Sequence, residues 1–125
     1  MKTLSDVVTI VKGHPDFANA GMLLCHNGVV RATSRDGRPV SGLRVSVNHE
    51  RLAAMLASHR KRPGIVDIQV DIAEDTDLSV GEDVMVLVVA GDVRENVIPV
   101  LTETLDAVKM TVTRKTEYFV SEKMS

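Results

Sequence analysis

The sequence is short of cysteine, aromatic residues and net charge, and each shortage removes a class of function. Cys25 is the single cysteine among 125 residues, so no internal disulfide can form and the reducing cytoplasm is the expected compartment. There is no tryptophan, and Phe17, Tyr118 and Phe119 are the only aromatics. Three rings offer no ladder on which successive bases could stack. A net charge of −2 gives no basic footprint for a phosphodiester backbone, so nucleic acid is not expected as a partner. No stretch approaches the roughly 18 apolar residues of a membrane span, and the N-terminus lacks the apolar run of a signal peptide, so no membrane is expected either. Neither a Gly-rich phosphate loop nor a His-x-x-x-His or Cys-x-x-Cys pair occurs, which leaves no metal and no cofactor to expect.

What is present fits one globular unit. With 44% apolar and 26% charged residues, residues 1–125 are expected to form a single compact α+β domain in the order α-β-β-α-β-β-α-β. Ser5-Asp6 opens a short helix that Gly13-His14-Pro15 stops, with Ser5 as the N-cap. The apolar text from Ala20 to Arg31 reads as a buried strand with a bulge near Asn27-Gly28, ending at Arg31. Turn chemistry at Asp36-Gly37 marks a loop, after which Leu43, Val45 and Val47 alternate with polar residues as a half-solvated strand. A helix follows from His49 to Lys61, with Leu52, Met55, Leu56 and His59 on one side and Pro63-Gly64 as its stop. Ile65 to Ala73 alternates again as a half-buried strand. Glu74 to Asp77 reads as a solvated acidic turn, and Val84 to Ala90 as a buried strand.

The rest of the chain is organised around Val84 to Phe119: buried strand, tight Gly91-Asp92 junction, one long helix, basic closing strand. Along the helix Val97, Leu101, Leu105, Val108 and Val112 recur at helical spacing. Arg94 and Lys109 interrupt that stripe near the face that buries itself, and snorkelling of their stems is the plain alternative to a site. Fifteen residues of helix separate them by about 22 Å at 1.5 Å per residue, too far for one small anion to touch both. A shared site therefore needs a second copy to bring its Arg94 across a dimer interface. Arg114 and Lys115 point to opposite faces of the closing strand, so only one of them can join Lys109. Cys25 and His26 diverge for the same reason, and Cys25 reads as a structural buried thiol. His14, His49 and His59 are unpartnered in sequence and read as loop or surface residues.

These residues carry a resemblance. From Gly21 through Glu117 the chain resembles the large, catalytic subunit of molybdopterin synthase, whose fold is of the α/β hammerhead type. The segment His26-Asn27-Gly28-Val29-Val30-Arg31 stands for that family's aromatic-x-Gly-x-Val-Arg, and Leu78-Ser79-Val80-Gly81-Glu82 for its Leu-x-Pro-Gly-Glu turn. Asp106-Ala107-Val108-Lys109 matches its Asp-x-Leu-Lys, and Thr113 to Glu117 loosely matches its closing Pro-x-Trp-Lys-Lys-Glu. The resemblance implies molybdenum cofactor biosynthesis. Sulfur passes from the thiocarboxylated C-terminus of a small ubiquitin-like subunit ending in Gly-Gly to cyclic pyranopterin monophosphate, giving molybdopterin. It implies Lys109 and Lys115 as catalytic lysines, and Arg31, Arg94 and Arg114 as substrate-binding residues, with Arg94 reaching a phosphate across a homodimer. Two large and two small subunits would make a heterotetramer. The cations would hold the phosphate and stabilise an oxyanion, and a desolvated lysine could shuttle protons. Val93 stands where the family has histidine and Arg114 where it has tryptophan. The alternative is a divergent, non-catalytic homologue that serves as a dimeric anion-binding, pterin-binding or regulatory module.

Overall fold

The structure is a computed structural model that describes residues 1–120, so the end of the expected domain at residue 125 lies outside the described residues. The elements are α1 (Leu4–Lys12), β1 (Met22–Val29), β2 (Val40–Val47), α2 (His49–Arg60), β3 (Ile65–Ile72), β4 (Leu78–Ser79), β5 (Asp83–Gly91), α3 (Arg94–Ala107) and β6 (Thr113–Phe119). The order is the expected one, with the two-residue β4 added in the turn before β5. A single 3₁₀ turn at Phe17–Asn19 precedes β1, and a π-helical turn at Val108–Val112 continues α3 into β6.

Two three-stranded antiparallel sheets result, in the orders β1-β5-β3 and β4-β2-β6. From Val84 to Gly91 the central strand β5 is apolar because both its faces are covered. Val86, Val88 and Ala90 pack under α1 with Val7 and Val11. Leu87 and Val89 face α2 and α3 through Leu56, Val97 and Val100. A third cluster joins the sheets, where Met85 and Ile72 meet Leu43 and Val45 of β2 and Val108 of the π-turn. Continuous apolar text is what a strand buried on both faces requires.

Several local expectations change. The N-cap of α1 is Thr3, not Ser5: its hydroxyl accepts from the Asp6 amide and the Asp6 carboxylate accepts from the Thr3 amide. That reciprocal pair satisfies two amides at once, which Ser5 cannot do from inside the helix. The strand expected over residues 20–31 is shorter and lies at a sheet edge, half-buried rather than buried, with the anticipated bulge at Gly28/Val29. As a result Cys25 is exposed, not a core thiol. Strand β3 is covered on both faces, and Asp67 is buried, held by the Ile68 amide at 2.8 Å and by Arg60 at 3.4 Å. The acidic turn is tethered rather than merely solvated. Glu74 pairs with His49 at 2.7 Å, and Asp77 receives Arg44 at 3.2 Å and the Tyr118 hydroxyl at 2.8 Å. His59, expected in a loop or on the surface, is half-buried against Thr104 of α3, with Nδ1 and Oγ1 2.7 Å apart.

Candidate functional site

A cleft of about 920 Å³ opens where the two sheets meet. Its floor is apolar, made by Leu43 and Val45 of β2, Ile72 of β3, and Val84 and Met85 of β5. Two polar segments complete its lining. One is the loop after β1, with Arg31, Thr33, Ser34 and Arg35. The other is the π-turn and β6, with Lys109, Thr113, Lys115 and Glu117.

The lysine wall follows from two periodicities. In β6 alternate side chains share a face, so Thr113, Lys115 and Glu117 all reach the cleft, opposite Val47, Val45 and Leu43 in the β2 register. Arg114, between them, is paired with Ser46 and faces away. Lys109 comes from the turn that links α3 to this strand. There the Val108 carbonyl accepts from both the amide and the hydroxyl of Thr113, the latter at 3.0 Å. A π-turn inserts one extra residue into the helical ladder and re-aims the side chains beyond it. Here it keeps Val108 and Val112 buried while Lys109 is left exposed at the cleft.

The loop wall is equally fixed. Thr33 and Pro39 form an isolated bridge that closes the loop, and the Val40 amide donates to the Ala32 carbonyl at 2.8 Å. Arg31 Nε donates to the Thr33 carbonyl at 2.8 Å, which holds its guanidinium against the loop.

Four cations therefore face one carboxylate, Glu117, which lies 3.9 Å from Lys115. Among the described residues, Arg31, Arg35 and Lys109 take part in no ion pair. This excess of positive charge reaches beyond the cleft: burial pushes the His26 imidazole below its usual pKa, and Lys109 lowers it further. Both lysines remain wet, with Lys109 exposed and the Lys115 side chain 53% exposed, so the expected desolvation is not observed. No group of three or more metal-ligating side chains occurs among the described residues.

Of the five residues expected at a site, the structure brings together Arg31, Lys109 and Lys115. It leaves out Arg114, for the reason of strand parity, and Arg94. Contrary to the expectation that Arg94 lies near the buried face of the helix, its side chain is 78% exposed beside Glu95. The sequence reading missed Thr113 and Glu117, although the same parity that separates Arg114 from Lys115 places them in the cleft. It also missed Ser34 and Arg35, whose positions depend on how the loop closes and leave no periodic signal.

Two antiparallel three-stranded sheets with helices on the faces of one, and a cation-lined cleft where they meet, define an α+β protein. The family model described as MoaE protein matches residues 2–111, and the chain belongs to the MoaE family. Its fold is similar to molybdopterin cofactor biosynthesis protein E from Burkholderia multivorans, with a TM-score of 0.74 at 19% identity over 99% of this chain and 87% of that one. It is also similar to a complex of subunits 1 and 2 of molybdopterin-converting factor from Helicobacter pylori, with a TM-score of 0.70 at 14% identity, covering 98% and 86%. Molybdopterin synthase from Staphylococcus aureus matches with a TM-score of 0.69 at 16% identity, covering 85% and 78%. No curated protein sequence matches. No described helix is long and apolar enough to cross a membrane.

Proposed function

We propose that the chain is the sulfur-transferring subunit of a molybdopterin synthase, acting on cyclic pyranopterin monophosphate with a thiocarboxylated small subunit as sulfur donor. The observation that carries this reading is the convergence of Arg31, Lys109 and Lys115 on one cleft with an apolar floor. A flat heterocycle gains by covering apolar surface, while its phosphate and the donor's thiocarboxylate meet cations at the walls. Membership of the MoaE family supports a place in molybdenum cofactor biosynthesis. The two-subunit complex among its structural relatives supports a small-subunit partner.

In this reading the thiocarboxylate sulfur bonds to a carbon of the pterin side chain as that carbon's C–O bond breaks and its oxygen leaves protonated. Water then cleaves the acyl–sulfur bond, the sulfur stays on the pterin as a thiolate and the tail leaves as a carboxylate. A second thiocarboxylated tail repeats the exchange, with no net oxidation or reduction. Lys109 and Lys115 stabilise the oxyanion of the acyl intermediate, and Arg31 holds the phosphate. Arg94 contributes only from a second copy, in the homodimer that forms the core of a heterotetramer.

Purified protein mixed with the thiocarboxylated subunit and the cyclic pterin is expected to yield molybdopterin. Absence of product with a donor known to be thiocarboxylated would remove the activity. The second reading, an anion-binding module without sulfur transfer, draws on Val93 in place of a histidine and on Arg114 turned away from the cleft. Binding of the pterin without turnover would select it.

A further inference from the structure

We propose that Arg35 is a substrate-positioning residue which, with Arg31, holds the phosphate of the acceptor, so that one chain presents two guanidinium groups in the cleft that Lys109 and Lys115 also line. This rests on the reading of the cleft as a site for a phosphorylated acceptor.

The loop is built to hold Arg35 over the cleft. Residues 34–37 form a tight turn in which the Gly37 amide donates to the Ser34 carbonyl at 3.0 Å, with Gly37 at φ +85°. Ser34 is buried at 6% exposure, its amide donating to the Arg38 carbonyl at 2.9 Å and its hydroxyl accepting from the Arg38 amide at 3.1 Å. Arg35 follows directly on that anchor, at the first corner of the turn.

The neighbouring charges are already committed. Asp36 turns in to receive the Ser34 hydroxyl. The Arg38 guanidinium lies 3.6 Å from the centre of the Phe119 ring, directed toward β6. Arg35 alone of the loop's three central charges lines the cleft, with no ion-pair partner among the described residues.

Arg31 complements it. Its Nε is engaged by the Thr33 carbonyl, leaving two terminal nitrogens for an oxyanion. Planar guanidinium forks suit the paired oxygens of a phosphate, whereas ammonium groups act as point charges on a developing oxyanion. The arginines therefore stand on one wall and the lysines on the other.

Steady-state kinetics with the thiocarboxylated small subunit and the cyclic pterin test this, alongside NMR titration of the Arg Nε–H signals with inorganic phosphate. Arg35→Ala is expected to raise KM for the pterin about tenfold while leaving kcat within about twofold, with Arg35→Lys recovering part of the loss. Phosphate is expected to shift the Arg31 and Arg35 signals together, and to bind more weakly to Arg35→Ala. An unchanged pterin KM in Arg35→Ala, while Arg31→Ala raises it, would overturn the role of Arg35 and leave the sulfur-transfer reading intact. A rise in KM for the small subunit alone would also overturn it, assigning Arg35 to protein docking. Phosphate binding that depends on Arg35 in a protein that yields no molybdopterin would uphold the inference and sink the activity. No phosphate binding to the unaltered chain would overturn the inference, while the yield of molybdopterin decides the activity separately.

Discussion

Lys109 is the residue whose placement is tested most directly, because it leaves two signatures. As an oxyanion-stabilising cation its removal is expected to cost roughly 10²- to 10³-fold in turnover, measured by molybdopterin formation with Lys109→Ala. Its charge also disfavours protonation of His26, second to burial as a cause. Lys109→Ala is therefore expected to move the His26 pKa part of the way back toward the usual 6.5, read by NMR titration of the imidazole. Full turnover together with an unmoved His26 would place Lys109 outside the site. Arg114 illustrates the limit of residue-level reading: a cation next to Lys115 in sequence, it lies on the far face of its strand, while Arg94 extends into solvent on its own chain.

At the scale of the element, the caps and close approaches decide whether the frame holds. The reciprocal Thr3–Asp6 pair starts α1, and α1 is the helix that covers one face of β5. Thr3→Ala is expected to lower unfolding free energy by about 1 kcal/mol, measured by urea denaturation. Gly42 is a harsher case. It lies where β2 pairs with β4, and a Cβ there would overlap the Leu78 carbonyl. Gly42→Ala is expected to cost about 1–3 kcal/mol through forced separation of the strands. Because β2 also supplies Leu43 and Val45 to the cleft floor, the same variant should weaken pterin binding. Stability equal to the unaltered chain would show that β4 is not held against β2.

For the whole molecule, two histidines set how stability responds to mild acid. Burial lowers the pKa of His59, and the charge of Arg62 adds to the effect while Glu103 opposes it. Burial and Lys109 lower that of His26. A group whose pKa is depressed on folding binds fewer protons in the native state, so stability rises with pH across the interval between the two values. The contribution of both histidines is thus complete above the unfolded value near 6.5 and is lost as pH falls below it. The hydrogen-bonded carboxylates Asp6, Asp36, Asp77 and Asp92 also have depressed values, but their contribution disappears only below the usual 3.8. Urea midpoints measured between pH 5 and 7.5 are expected to rise with pH, and His59→Gln should flatten that slope. A flat profile in the unaltered chain would contradict the burial of both rings.

Much of this architecture was legible from periodicity. The α3 stripe, the alternation in β2 and the uniform apolar text of β5 each dictate one geometry, because a side chain's face is fixed by the repeat of its own element. Strand parity in β6 likewise determined that Arg114 and Lys115 part company, and a resemblance drawn from short segments in order named the family. Tertiary structure alone decided the rest. The Thr33–Pro39 bridge and the Ser34 turn bring Arg35 to the cleft, the π-turn aims Lys109, and packing against α3 converts His59 from a surface residue to a half-buried one. The His59–Thr104 contact joins residues far apart in the chain and the π-turn breaks the helical repeat, while the closure of the loop around Ser34, though local, carries no periodic signal that would aim Arg35 at the cleft.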